Sequence, residues 1–417
     1  MLRLLHTSDW HLGHSLHGHA RDYEHERFLD WLLETLQSER IDSLLVAGDL
    51  FDTANPTAAA QAQWFRFVAA ARTRMPGLEL IFLGGNHDSA ARLDAPRPIF
   101  DALGVHVVGG LPRCGDGSLD HERLLVPLRS FEGAIEAWLV ALPFLRPVDL
   151  PRVDSPEADP LVEGVRQLYV ESLAAARERL QPQQALVAAG HCYLTGTALS
   201  ELSERKILGG NQHALPADIF PEDLAYVALG HLHLAQIVAG RKNVRYSGSP
   251  LPLSLAESGY RHQVLIVEFE QGGFREARSL AVPRFVELLR VPCEGSLPPP
   301  DLLAELARLP AKDDSVPDRQ RPYLEAVARL EGPEPALRQQ VAQTLSDRSP
   351  RLLKLTVERT GHGLALPEAS QATSLADLTP EEVFRSCHER SFSQPPPAEL
   401  LATFHELLDR LGRGEGR

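Results

Sequence analysis

Cysteine is scarce: four residues in 417, at positions 114, 192, 293 and 387, none in a C-x-x-C pair. That excludes a zinc knuckle or a disulfide framework and favours a reducing compartment. Long apolar runs are also missing. Nowhere do roughly 18 apolar residues follow one another, the length a membrane span needs. The opening run Met1 to Leu5 turns polar at His6, too short for a signal peptide, so a cytoplasmic location is expected. Positive charge is in deficit, with 42 Lys and Arg against 56 Asp and Glu, a net charge of −14. A polyanion cannot be held by bulk attraction; metal ions or a partner subunit must supply the charge locally. No G-x-x-x-x-G-K-[ST] occurs, so the chain has no P-loop of its own. Ser247 and Ser249 lack the G-x-S-x-G frame of a serine hydrolase, and no repeat falls at solenoid spacing.

What remains is an ordinary globular mix, 43% hydrophobic and 24% charged, in a chain long enough for two or three domains. Histidine carries the information: 14 of 17 precede residue 283, which places the chemistry there. Short apolar runs alternate with helical stripes in a β-α-β-α-β rhythm. Strands are expected at Leu2 to Leu5, Ser43 to Ala47 and Leu78 to Leu83, with helices around Phe28 to Leu36 and Thr57 to Arg72. Further strands are expected at Ala185 to Ala189, Ala225 to Leu229, Val244 to Tyr246 and Val264 to Phe269, and a helix at Leu161 to Leu180. One α/β domain over 1–282 is the reading.

Pro283 opens a different pattern. Strands at Phe285 to Val291, Tyr323 to Leu330 and Leu352 to Val357 alternate with helices at Pro300 to Leu309 and Pro335 to Leu345, giving a small βαβαβ domain over 283–360. The tail, 361–417, carries a capping box at Thr379-Pro380-Glu381-Glu382 and an amphipathic stripe of Leu400, Leu401, Phe404, Leu407, Leu408 and Leu411. Two such helices need a surface to cover them, either their own domain or a partner.

Polar residues cluster where strands end. Asp9 and His11 follow the first strand, Gly48-Asp49 the second and Gly85-Asn86-His87-Asp88 the third, while Gly190-His191 and Gly230-His231-Leu232-His233 close two later ones. The carboxyl ends of strands share an edge in open α/β folds, so these five segments can converge. Glycine lets a strand stop abruptly beneath an ion. Two carboxylates, one amide and four imidazoles without a thiolate suit manganese, iron or zinc. Seven donors exceed one tetrahedral site; two ions about 3.5 to 4 Å apart would use them all.

The ordered series D-x-H, G-D-x-x-D, G-N-H-D, G-H and G-H-x-H resembles the calcineurin-like metallophosphoesterase superfamily. Within it, His6 to Gly13, Val46 to Thr53, Ala228 to His233, Val244 to Pro250 and the tail around Leu378 to Phe384 are similar to the SbcD nuclease subunits of bacterial SbcC/SbcD complexes. The resemblance implies two mixed sheets flanked by helices, a small α+β capping domain that contacts DNA, and a C-terminal two-helix tail. It implies one ion held by Asp9, His11, Asp49 and His233 and a second by Asp49, Asn86, His191 and His231, with Asp49 bridging and manganese as the metal. His87 would act on the leaving group, and Asp52 would orient it, although archaeal relatives carry histidine at that position. His14, His17, His19 and His25 are read as loop residues rather than ligands, and His213 as a solvated loop histidine. The implied activity is a DNA exonuclease on duplex ends, 3′ to 5′, and an endonuclease on single strands and hairpins, in repair, replication and recombination. The implied partners are an SbcC-type coiled-coil ATPase bound by the tail, and a second copy of the chain. The competing expectation is a stand-alone metallophosphoesterase acting on nucleotides or phosphoproteins.

Overall fold

In the first strands the apolar residues face one of two hydrophobic surfaces, and alternation decides which one. Leu2, Leu4, Leu45, Ile81 and Leu83 enter one core, while Leu5, Leu44, Val46, Leu80 and Phe82 enter another. A sheet covered on both faces is the only arrangement that buries such runs. The structure, a computed structural model, describes residues 1–153, 159–198, 214–332, 334–359 and isolated positions between 384 and 404. It divides into two units, Met1–Glu358 and Arg359–Arg417.

In the first unit, one mixed sheet runs in the order Gly273–Ala281, Gln263–Glu270, Leu2–Thr7, Ser43–Ala47, Glu79–Leu83, Val105–Val108. The second runs Gln236–Val238, Arg241–Tyr246, Tyr226–Gly230, Ala185–His191, Ile135–Ala141, Leu125–Arg129. Their inner faces share a core that includes Leu4, Ile81, Leu139, Val187, Val227 and Leu229. Helices cover the outer faces. Asp22–Ser38 and Ala58–Arg74 press Phe28, Leu32, Trp64 and Phe67 onto the first sheet. Pro160–Arg179 turns Val165, Tyr169, Leu173 and Ala176 to the second. The caps follow from sequence: Thr57 Oγ1 accepts from the Ala60 amide, and Asp159 precedes Pro160 and accepts from the Leu161 amide.

Register positions the site. Thr7 lies opposite Val46, Ala47 opposite Leu83, and His191 opposite Gly230, all in parallel pairs. Each sheet therefore presents its carboxyl ends at one level. The strands expected from sequence are all present, but five others in these two sheets are not legible as strands. Leu125–Arg129 contains Pro127, which reads against a strand but is tolerated here because this strand is the sheet edge. Gly273–Ala281 is also an edge strand, and its half-exposed charged residues break the alternation.

The part after Pro283 has a three-stranded sheet in the order Leu288–Val291, Tyr323–Leu330, Arg351–Arg359, with helices Pro299–Ala307 and Leu337–Thr344. It owns a separate core of Leu302, Leu306, Leu324, Ala326, Leu337 and Val341. Cations over rings link it to the first domain: Arg319 lies 5.4 Å from the Tyr23 ring and Arg27 5.9 Å from that of Phe285. In the second unit, Leu400, Leu401 and Phe404 are helical, and the Phe384 and Phe404 rings stack with centroids 4.1 Å apart. The expected capping box at Thr379 to Glu382, and Leu407, Leu408 and Leu411, lie outside the described residues. Among the described residues no helix is long and apolar enough to cross a membrane.

Trp10 is the hub of the core between the first sheet and its covering helices. It is fully buried, meets Phe28, Phe67 and Phe82 edge to face, and donates from Nε1 to Thr7 Oγ1 at 3.0 Å. Trp10→Ala should lower unfolding free energy by about 3 to 5 kcal/mol, read as a shifted guanidinium midpoint; an unchanged midpoint would mean that the hub is not supporting the core.

Candidate metal centre

The loops that follow the strands are tied together by backbone before any side chain is considered. The Asp9 amide donates to the Gly48 carbonyl at 3.0 Å, and those of His11 and Leu12 donate to Asp49 and Leu50 at 3.1 and 2.9 Å. Asp9, His11, Asp49 and His231 take positive φ values of 55, 47, 49 and 100°. Non-glycine residues rarely hold such values unless surrounding contacts impose them. Two glycines are there because no side chain fits. A Cβ at Gly48 would stand 2.1 Å from His191 Nδ1, and one at Gly85 would stand 2.1 Å from Asp49 Oδ1.

On this frame the seven expected donors meet. Asp9, His11 and His233 offer atoms within 4.8 Å of one another, as do Asp9, Asp49 and His191. His191 Nδ1 donates to the Ala47 carbonyl at 2.9 Å, which leaves Nε2 facing Asn86 Oδ1 at 3.0 Å and Asp49 Oδ2 at 3.3 Å. His231 Nδ1 lies 2.9 Å from the same Asn86 oxygen. The six Asp and His donors are 7% exposed or less.

Burial alone would raise Asp49, but His191, with His11 and His87, holds it well below the usual carboxylate range. The same pairing lifts His191 above its ordinary value against the pull of burial. Burial, reinforced by the His191 charge, pushes His231 down to about 3. Asp88, behind the cluster, is raised to about 6 by burial and by the Asp49 charge. Its carboxylate accepts from the amides of Leu50, Phe51 and Gly85 at 2.9 to 3.0 Å and so clamps two of the loops.

The residues fit a divalent metal. Both ring nitrogens of His11 are buried and make no well-formed hydrogen bond, facing only the carboxylates of Asp52 at 3.3 Å and Asp49 at 3.6 Å, a costly state for polar atoms that have nothing to coordinate. The donor set is hard to borderline, all nitrogen and oxygen.

His87 stands at the rim, half-buried. Its amide donates to Asp49 Oδ1 at 2.8 Å, and its Nδ1 donates to the main-chain carbonyl of Asp52 at 2.9 Å, while Nε2 makes no hydrogen bond among the described residues. Asp52, expected to orient His87, meets its ring through the main-chain carbonyl. Its Oδ1 faces His14 Nδ1 at 2.9 Å and His11 Nδ1 at 3.3 Å, and a carboxylate oxygen also lies within 4.8 Å of a ring nitrogen of His87. His14 is therefore more than a loop residue, and its Nε2 contacts the Leu253 carbonyl at 3.1 Å. His25 is buried in the Asp22–Ser38 helix, and His19 pairs edge to face with Tyr323 at 5.9 Å. His17 is exposed on the small hairpin, and His213 lies outside the described residues. Glu257 is a residue that motif reading passes over: fully buried, it accepts from His233 Nδ1 at 3.0 Å.

Fold and centre are those of a calcineurin-like phosphoesterase, the family that matches residues 2–235. The type 5 capsule protein repressor C-terminal domain family matches residues 284–392. Similar proteins include the SbcD subunits of the nuclease SbcCD from three bacteria. The one from Rhodobacter capsulatus is 40% identical over 390 residues, covering 92% of this chain and 93% of the relative. That from Escherichia coli K12 is 38% identical over 288 residues, 68% of each chain. That from Bacillus subtilis is 34% identical over 279 residues, 65% of this chain and 67% of the relative. The chain belongs to the SbcD family of calcineurin-like phosphoesterases.

Gly85→Ala should drive its new methyl into the Asp49 carboxylate. The full-length variant is expected to stay folded by circular dichroism and to lose divalent-metal binding by calorimetry. Wild-type binding would show that the loop can yield.

Proposed function

We propose that the chain is the nuclease subunit of an SbcC/SbcD-type complex and hydrolyses DNA phosphodiester bonds: as a 3′ to 5′ exonuclease on duplex ends and an endonuclease on single strands and hairpins, in cytoplasmic DNA repair, replication and recombination. The observation that carries it is the likeness to an SbcD nuclease subunit over 92% of the chain, centred on a buried cluster of metal donors. A stand-alone phosphoesterase is not favoured, since the likeness continues far beyond the part that holds the donors.

Asp9, His11, Asp49 and His233 would hold one manganese ion, and Asp49, Asn86, His191 and His231 a second, with Asp49 serving both. When bound, the metals supply neutralisation of phosphate charge and a water acidic enough to ionise near neutral pH. The protein's own part is placement. His87, with Nδ1 committed to Asp52, keeps Nε2 available to hold a proton for the departing oxygen. Asp52 acts through its carbonyl on His87 and through its carboxylate on His11 and His14. We assign 1–282 to catalysis, 283–360 to contact with DNA and 361–417 to a coiled-coil ATPase, with the chain working as a homodimer. The net charge of −14 suits that division, because the partner can supply much of the grip on DNA.

With manganese, the full-length chain should cut hairpin and blunt duplex DNA, and partner and ATP should stimulate it; cleavage of small phosphodiesters but never DNA, even with the partner, would refute the reading. Asp49→Asn should abolish turnover. His87→Ala should retain metal yet slow cleavage by at least ~10²-fold, the scale of general-acid loss; equal metal loss in both variants would overturn that division of roles. Charged substitutions at Leu400 and Phe404 should abolish complex formation with the ATPase in a pull-down, and intact complexes would count against the tail assignment.

A further inference from the structure

We propose that Glu257 is a positioning residue that fixes which ring nitrogen His233 turns toward the metal centre, an inference that rests on the metal assignment above. Glu257 belongs to none of the phosphoesterase motifs and lies 24 residues beyond His233. It is fully buried, so its lone pairs must be satisfied by protein. Oε1 accepts from His233 Nδ1 at 3.0 Å, and Oε2 accepts from the Leu253 amide at 2.8 Å. A neutral imidazole has one donor and one acceptor nitrogen. With the Nδ1 proton committed to Glu257, the lone pair His233 can offer to a metal is on Nε2, and the His233 ring lies against Asp9 and His11, with a nitrogen within 4.8 Å of their donor atoms.

The same loop reaches the catalytic side. The Leu253 amide is bound to Glu257, and the Leu253 carbonyl meets His14 Nε2 at 3.1 Å, whose Nδ1 contacts Asp52. One residue thus ties the brace of a metal ligand to the brace of the residue that holds His87.

Glutamine separates this role from simple packing. It has the shape of glutamate but only one acceptor oxygen. In Glu257→Gln the Leu253 amide can still only donate, so the remaining acceptor oxygen stays with it and the new side-chain NH2 faces His233 Nδ1. Nδ1 must then accept, the ring proton moves to Nε2, and the ligating lone pair is lost while the loop keeps its bond.

The test is calorimetric titration of the full-length chain with manganese(II) alone. The wild type is expected to bind two ions. Glu257→Gln should weaken one of the two by on the order of 10- to 100-fold, the usual cost of removing a ligand's outer partner, and leave the other unchanged. In a His233→Ala background the same substitution should change nothing further. Wild-type affinities in Glu257→Gln would overturn the inference and leave the metal assignment standing, as would an equal loss in both backgrounds. A wild-type chain that binds no manganese would bring down the metal assignment and this inference with it. Long-range N–H spectra of the zinc-loaded wild type provide a check without substitution: His233 Nδ1 should keep its proton, and metal bound to Nδ1 would overturn the proposal.

Discussion

Asp49 carries its charge almost without water, and the centre is organised around making that tolerable. It is 2% exposed, and a lone buried carboxylate would be strongly disfavoured. Three neighbours compensate: His191 on one side, His11 on the other, and the His87 amide from the third strand's loop. Two of these are anchored in turn, His191 on the Ala47 carbonyl and the His87 ring on that of Asp52. Removing one partner therefore exposes the next, and the effect of any substitution here spreads beyond the atom removed.

Much of this was legible because the central strands are buried on both faces. Such strands read as unbroken apolar runs, so a Gly followed by Asp, Asn or His at their ends stands out sharply. Asp49, Asn86, His191 and His231 were found that way, and Asp9 by the D-x-H that follows the first apolar run. Edge strands have no such contrast, and Leu125–Arg129 and Gly273–Ala281 were passed over for that reason. The braces were hidden for another. Glu257 sits in an ordinary Ser-Leu-Ala-Glu-Ser stretch, and spacing cannot say which carboxylate meets which imidazole. Asp52 shows the same limit: the motif locates the residue but not whether carbonyl or carboxylate faces His87.

The smaller part after Pro283 holds its own core, packs Phe285 against the core beneath the first sheet, and also meets the preceding part through cations over rings. Each such contact contributes only about 0.5 to 2 kcal/mol. The side chains that join the two parts include Tyr23, Arg319 and Phe285. Tyr23 follows the D-x-H loop closely in sequence, and Phe285 follows Pro283 closely.

Four of the residues that define the centre share a left-handed main-chain twist, and amides of these loops are spent on one another's carbonyls. The turns are thus as much part of the apparatus as the donors they carry. Grafting the seven side chains onto another pair of sheets would transfer the chemistry's vocabulary without its grammar, and a designer would have to import the crossed turns whole.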